Sequence, residues 1–376
     1  MSLRGRRPKQ SLCFMHKIKK AILTGGGRAT RLRPVTATIN KHLIPLANKP
    51  MIFHAIEKAV EAGIEEIYIN TNPGETELQK YVGDGGHWGI TIKFFEQTGG
   101  PQGVAHVVKQ AEKFIGDEPF LFYLSDNIIL GSIRGFIDDF SRGEHDCMLA
   151  LSQVPDARSF GVPIFNDQNI LIDVWEKPAN PPNNFAVTGI YLYGPKIFFD
   201  AFDKIEKSAR GEYEISGIHS HLLKNNFRVG HREITGWWKD TGQPSDLTLA
   251  SQLLLDELPG DQFNIRGQVE SGAQIGGRVH IGAGTVVRKD VKITGPAIIG
   301  ENCLLEHCVI NPYTTIGAGT IIKNAEISNS IIFGNCTIDC AMKITDSIIG
   351  EKAVVTTRRV DACRRMILGE QTVVEI

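Results

Sequence analysis

The sequence lacks an excess of charge of either sign. Lys and Arg total 41 against 42 Asp and Glu, a net charge of -1, so the chain carries no field of the kind that holds nucleic acid or an anionic membrane. Small molecules are the expected partners, with no nucleic acid and no membrane. No apolar run approaches the roughly 18 to 20 residues needed to cross a bilayer, and the first residues lack the apolar core of a signal peptide. A cytoplasmic location is expected. Cysteine is sparse: seven in 376 residues, an odd number without the paired spacing of a zinc site, which predicts reduced thiols rather than a disulfide framework. Cys303, Cys308, Cys336 and Cys340 fall in one region and are expected to be small buried fillers rather than metal ligands.

The chain does contain enough apolar sequence, 42%, for more than one core. Arg4, Arg6, Arg7 and Lys9 precede any apolar pattern, and residues 1–17 are expected to be a disordered basic arm. From Lys20 strands and helices alternate. Ala21 to Leu23, Glu66 to Asn70 and Phe120 to Leu124 read as strands; a helix opens at Pro50 with Ile52, Ala55, Ile56, Ala59 and Val60 on one face, and another is predicted from Val104 to Phe114. This order implies a mostly parallel sheet with helices on both faces, and ligands at the carboxyl ends of its strands. Beyond Asp146 four strand-like runs (148–154, 163–165, 170–175 and 185–193) would extend the sheet or form a lid, and a last helix is predicted over 244–258 before Pro259-Gly260-Asp261 breaks the chain.

After that break the period changes. Val269, Ile275, Ile281, Val287, Ile293, Ile299 and Leu305 recur every six residues; Ile310, Ile316 and Ile322 resume after a five-residue step, and Ile332, Ile338 and Ile344 resume again. A period of six suits a triangular coil with one inward aliphatic residue per side. A β-sandwich, the alternative, would alternate by two.

The first strand runs into Thr24-Gly25-Gly26-Gly27-Arg28-Ala29-Thr30-Arg31-Leu32. Glycines let backbone approach an anion, and Arg31 places a cation beside it. No Gly-Lys-Ser/Thr follows, which excludes a P-loop, and the next strand ends at Asn70 without the acid of a dinucleotide site. The continuation to Lys41 and Lys49-Pro50, with Gly103-Val104-Ala105, Ser125-Asp126-Asn127, Trp175-Glu176-Lys177-Pro178, Val187-Thr188-Gly189-Ile190-Tyr191, Ala209-Arg210-Gly211 and Trp238-Lys239-Asp240 in order, resembles the sugar-1-phosphate nucleotidyltransferases. Within them it is most similar to the long glucose-1-phosphate thymidylyltransferases, whose extension the repeats and the closing Ile367-Leu368-Gly369-Glu370 resemble.

The resemblance implies a Rossmann-like, GT-A-like α/β mixed sheet as the nucleotidyltransferase catalytic domain over 18–258. A left-handed parallel β-helix with a C-terminal tail would follow over 265–376. It implies a nucleoside triphosphate, dTTP ahead of other nucleotides, and a sugar 1-phosphate, glucose 1-phosphate first, as substrates, with Mg²⁺ as cofactor. Arg31, Lys41 and Lys177 would be catalytic; Thr24, Gly26, Gly27, Gln97 and Gly103 would bind nucleotide; Gly161, Glu176, Val187, Tyr191 and Arg210 would bind the sugar phosphate; Asp126 and Asp240 would hold the metal. Transfer at an α-phosphate needs positive charge and in-line alignment rather than an enzyme nucleophile, which these residue types can supply. A homo-oligomer is expected. Ala29 stands where the family has glycine, and its Cβ would restrict positive φ. Alternative readings are the same transfer with UTP or GTP, an acyltransferase built on His280 and His307 of the repeats, and a catalytically silent subunit.

Overall fold

A computed structural model of the chain describes residues 17–27, 29–234, 236–258 and 264–357. The basic arm up to residue 16, Arg28, the Pro259-Gly260-Asp261 break and the Ile367 to Glu370 segment lie outside the described residues.

The chain enters through β1 (Lys20–Leu23) and a hairpin of β2 (Pro45–Leu46) and β3 (Lys49–Pro50) that leads into α1 (Met51–Glu61). Next come β4 (Glu66–Thr71), α2 (Glu77–Val82), β5 (Thr91–Glu96), α3 (Val104–Gln110), α4 (Glu112–Ile115), β6 (Phe120–Tyr123) and β7 (Asn127–Ile129). They are followed by α5 (Arg134–Ser141), β8 (Cys147–Gln153), β9 (Gly161–Phe165), β10 (Leu171–Glu176), β11 (Phe185–Tyr193) and α6 (Ile197–Phe202). The first part ends with α7 (Ile215–Lys224), β12 (Val229–Glu233), β13 (Trp238–Asp240) and α8 (Pro244–Asp256).

The nine-stranded sheet has the order β10-β9-β11-β6-β1-β4-β5, with β8 joining β11 to β12. It is mixed, as the resemblance implies, where strand and helix alternation alone predicts a mostly parallel sheet: β6, β1, β4 and β5 run together, whereas β11 is antiparallel to β6, β8 and β9. The four runs beyond Asp146 therefore extend the sheet. Alternate side chains of β1 enter opposite cores, Ala21 and Leu23 sharing one with Ile52, Ala55 and Ile56 of α1, and Ile22 sharing the other with Val108 of α3 and Leu222 of α7. Burial on both faces explains why β1 reads as a continuous apolar run.

Two helix expectations need correction. The segment from Val104 is two helices, because the Ala111 N–H turns to Val108 O and the Phe114 N–H to Ala111 O, tighter bonds that end one helix and start the next. The last helix ends at Asp256 instead of Leu258; its start is fixed by Pro244 and by reciprocal capping between Gln243 and Asp246.

From Asn264 the chain winds into a left-handed parallel β-helix whose described residues form three parallel sheets of six, six and five short strands. Ile281 stacks on Ile299, Ile299 on Ile316, and Ile316 on Ile332, so each inward aliphatic residue sits over its counterpart in the next coil. This stacking excludes the sandwich. The sequence reading passed over Ile327, which is fully buried between Ile310 and Ile344: two consecutive five-residue steps hide it from a search at six. Cys303, Cys308, Cys336 and Cys340 are buried free thiols, as the filler reading expects. Among the described residues no helix is long and apolar enough to cross a membrane.

Candidate active site

The carboxyl ends of β1, β4 and β6 converge on the glycine loop. Thr24 Oγ1 accepts the Ser125 N–H at 2.9 Å, Asn70 Oδ1 accepts the Gly25 N–H at 3.0 Å, Asn72 Oδ1 accepts the Gly27 N–H at 2.9 Å, and Asn40 donates to Gly25 O at 2.8 Å. These three asparagines were not singled out from the sequence. Asn70 carried a signal, being a polar residue at the end of an otherwise apolar strand, and it is buried. Within this loop the tightest glycine is Gly25, where a Cβ would lie 2.5 Å from Leu78 Cδ2 and 2.7 Å from Asn70 O; at Gly26 it would lie 2.8 Å from Asn70 Nδ2, and Gly27 (φ 127°) borders open space. Ala29 takes up the left-handed conformation despite its Cβ, at φ 42°, held through its carbonyl by the Leu32 N–H and Thr36 Oγ1.

Asp126 follows β6, and antiparallel pairing of β13 with β7 sets Asp240 opposite Asn127. Asn127 locks the junction: its Oδ1 accepts from Trp238 Nε1 at 2.7 Å and the Gly189 N–H at 3.1 Å, while its Nδ2 donates to Asp126 Oδ1 at 2.9 Å. Thr241 adds hydrogen bonds from its N–H and hydroxyl to Asp126 O. Lys41 Nζ lies 2.6 Å from Asp126 Oδ2. Arg31 reaches the same place, since a Cβ on Gly242 would sit 3.2 Å from Asp240 Oδ2 and 3.4 Å from Arg31 Nη1.

The two carboxyls are held apart in acidity. Burial alone would raise Asp126, but the Lys41 charge prevails and takes it to about 2. Burial and then the Asp126 charge push Asp240 up to about 6, against the pull of Lys41 and Arg31. Burial lowers the neighbouring His42 to about 4, so its ring is neutral at pH 7. Two hard oxygen donors whose joint ionisation is opposed by mutual repulsion suit a divalent cation that takes its remaining ligands from phosphate and water.

A second group forms where β9, β10 and β11 meet. Gly161 is paired with Glu176 on one side and Val187 on the other, and a Cβ there would lie 3.8 Å from Glu176 Oε2. Lys177, at φ 45°, places Nζ 3.1 Å from Glu176 Oε1; Arg210 Nη2 is 3.2 Å from the same oxygen and 2.8 Å from Glu214 Oε1. Glu214, absent from the sequence reading, anchors Arg210. Tyr191 is buried between Phe122 and His219, at ring distances of 5.7 and 5.1 Å. Gln97 stands just after β5 with its N–H on Thr71 O. Gly103 (φ 95°) must be glycine, because a Cβ would lie 2.5 Å from Tyr213 O; this close approach ties the start of α3 to the loop carrying Arg210.

A mixed α/β sheet that gathers a glycine loop, two basic side chains and two carboxylates at its strand ends defines an enzyme that handles phosphate esters. Residues 20–257 match the family described as Nucleotidyl transferase, and the chain belongs to that family. It is 34% identical to the low-salt glycan biosynthesis nucleotidyltransferase Agl11 of Haloferax volcanii, over 94% of this chain and 99% of that protein. It is also 34% identical to a glucose-1-phosphate thymidylyltransferase of Streptomyces antibioticus, over 95% and 99%. Among solved structures, a Bacillus anthracis protein provisionally assigned as a glucose-1-phosphate thymidylyltransferase, in complex with a sucrose, superposes with a TM-score of 0.60 at 33% identity, covering 65% of this chain and 98% of its own.

Proposed function

We propose that the chain transfers the thymidylyl group of dTTP to α-D-glucose 1-phosphate, giving dTDP-glucose and pyrophosphate. The observation that carries this reading is the convergence of Lys41, Asp126, Arg31 and Asp240 at one strand-end junction, with Glu176, Lys177 and Arg210 at a second. A sugar-phosphate oxygen attacks the α-phosphorus, the bond to the bridging oxygen of the β-phosphate breaks, and pyrophosphate leaves with that electron pair. Arg31 and Lys41 hold the triphosphate against its own charge; Lys177 and Arg210 hold the incoming phosphate in line. Glu176 accepts hydrogen bonds from sugar hydroxyls. Asp126 and Asp240 would bind Mg²⁺, which when bound supplies charge neutralisation on the phosphates. Gln97 offers a donor and an acceptor to the base edge.

We assign residues 18–258 to the catalytic domain and 265–376 to the β-helix domain, in a cytoplasmic homo-oligomer. The acyltransferase alternative is not favoured: His280 lies on a strand of one sheet of the coil, whereas His307 stands in the turn after a strand of another and is paired with Asp290. Pyrophosphate release, measured across dTTP, UTP, GTP and ATP with several sugar 1-phosphates, tests the assignment. Absence of release with every pair would sink it.

A further inference from the structure

Among the described residues, the β-helix packs on the sheet part through an apolar cluster whose members adjoin the segments of the proposed metal and triphosphate site. A single apolar cluster contains Leu32, Ile44, Ile128 and Leu247 together with Ile331 and Phe333 of the coil. Each of the first four belongs to a segment that carries a charged site residue. Leu32 directly follows Arg31. Ile44 closes the turn that begins at Lys41, its N–H on Lys41 O at 3.1 Å. Ile128 is on β7, which leaves Asp126, and Leu247 is on α8, which follows Asp240. Met51 also belongs to the cluster, and the Thr241 hydroxyl that bonds Asp126 O lies 3.4 Å from its Sδ.

Polar bonds pin the same elements. Ala47 and Asn48, both in the left-handed region, form the tip of the β2–β3 hairpin, and Asn48 Nδ2 donates to Ile316 O of the coil at 2.7 Å. Gln252 of α8 donates to Asn329 Oδ1 at 2.6 Å, and Arg278 Nη2 lies 3.0 Å from Asp256 Oδ1 at the end of the same helix. The turn around Lys41 and the β13 strand are each only three residues long, so beside their local hydrogen bonds the surface they pack on helps set where their charged residues stand.

We propose that Phe333 and Ile331 of the β-helix, with Asn48 at the hairpin tip, are positioning residues for the transfer site: the coil forms its rear wall and fixes the spacing of Arg31, Lys41, Asp126 and Asp240. The identity of those four as the site rests on the function proposed above. Lys177 directly follows β10 and Arg210 stands in the loop before α7, both outside this cluster, so the sugar-phosphate side does not depend on the coil.

The test uses the full chain with Phe333→Ala, the conservative Phe333→Leu, and Leu304→Ala on another coil face as control. Two readouts are taken: steady-state kinetics, and the Kd for Mn²⁺ alone, followed by electron paramagnetic resonance without substrates. Phe333→Ala should lower kcat by at least about tenfold and weaken Mn²⁺ severalfold, with KM for the sugar phosphate within about twofold of the parent. Phe333→Leu should recover most of both losses, and Leu304→Ala should change neither. A folded Phe333→Ala protein with parental kcat and Mn²⁺ affinity overturns the proposal, as does an equal loss in Leu304→Ala. If Phe333→Ala does not fold, Asn48→Ala, which removes one hydrogen bond and little volume, should shift both quantities in the same direction, and unchanged values again overturn it. A parent that binds Mn²⁺ but transfers no nucleotide would count against the proposed function alone, because the Mn²⁺ comparison still decides whether the coil positions the site.

Discussion

Lys41 and Asp126 form an ion pair of 2.6 Å, which joins the cation proposed to hold the nucleotide phosphates to the carboxylate proposed to hold the metal. Both cannot serve their partners until this pair opens. If Asp126 holds the metal as proposed, Lys41 competes with it for that carboxylate in the free enzyme.

Lys41→Gln should consequently bind Mn²⁺ several-fold more tightly than the parent in the absence of nucleotide, while kcat falls by about a hundredfold or more through loss of charge at the triphosphate. Titration with Mn²⁺ and pyrophosphate-release kinetics check the two halves. Weaker Mn²⁺ binding in the variant would mean that Lys41 orients Asp126 instead of blocking it.

Asp240→Asn should lose turnover yet gain stability at pH 7.5. Its carboxyl is raised to about 6 by burial and by Asp126, so the native state favours the protonated form; the contribution is present below about 4 and is lost as pH rises through 6. Asn removes that cost at pH 7.5, and the gain should vanish towards pH 4. Urea midpoints at both pH values, with activity at 7.5, provide the measurement. An Asn variant no more stable than the parent at pH 7.5 would remove the repulsion argument.

Base preference should follow from Gln97. Its amide can pair with the edge that thymine and uracil share, so discrimination must come from the thymine methyl, about 1 to 3 kcal/mol, or from the ribose 2′-hydroxyl. We expect dTTP to be preferred, UTP to be used measurably, and purine nucleotides poorly, by kcat/KM under matched conditions. A purine in first place would remove Gln97 as base reader and keep the reaction class.

Acid sensitivity should trace in part to His219, which is buried, bonded to Tyr193 Oη at 2.8 Å, and lowered by burial to about 3. The unfolded chain takes up a proton near 6.5 that the native state refuses, so stability falls as pH drops from 6.5 towards 3, by about 1.4 kcal/mol per pH unit. His219→Gln keeps a partner for Tyr193 and should flatten the slope of unfolding free energy between pH 6.5 and 4.5 by about that amount. His42 and His54, also lowered by burial, leave a remaining slope. All four tryptophans (Trp88, Trp175, Trp237 and Trp238) lie in the sheet part, so their fluorescence reports its unfolding, Trp237 also sensing the coil it packs near. An unchanged slope would mean that His219 is not the group involved.

The order of strands and helices, the change of period after residue 260, and the blocks that carry the charged residues were legible in the sequence, because apolar spacing and glycine placement are local properties of the chain. Local pattern misled where a partner from elsewhere intervened. The reading of a mostly parallel sheet missed the reversal at β11, since an antiparallel strand buried on both faces has the same apolar run as a parallel one. Ala29 looked like an obstacle to a left-handed turn, and carbonyl bonds from Leu32 and Thr36 hold it there regardless.

By itself the sequence determined which residue types are available for the reaction and on which segments they lie. Tertiary structure decided how they meet: Asp240 stands by Asp126 because β13 pairs with β7, Lys41 is held by Asp126, Arg210 is anchored by Glu214, and the coil closes the cluster behind them. These contacts join residues far apart in the chain through strand register and close packing, and neither is encoded in the spacing of any single segment.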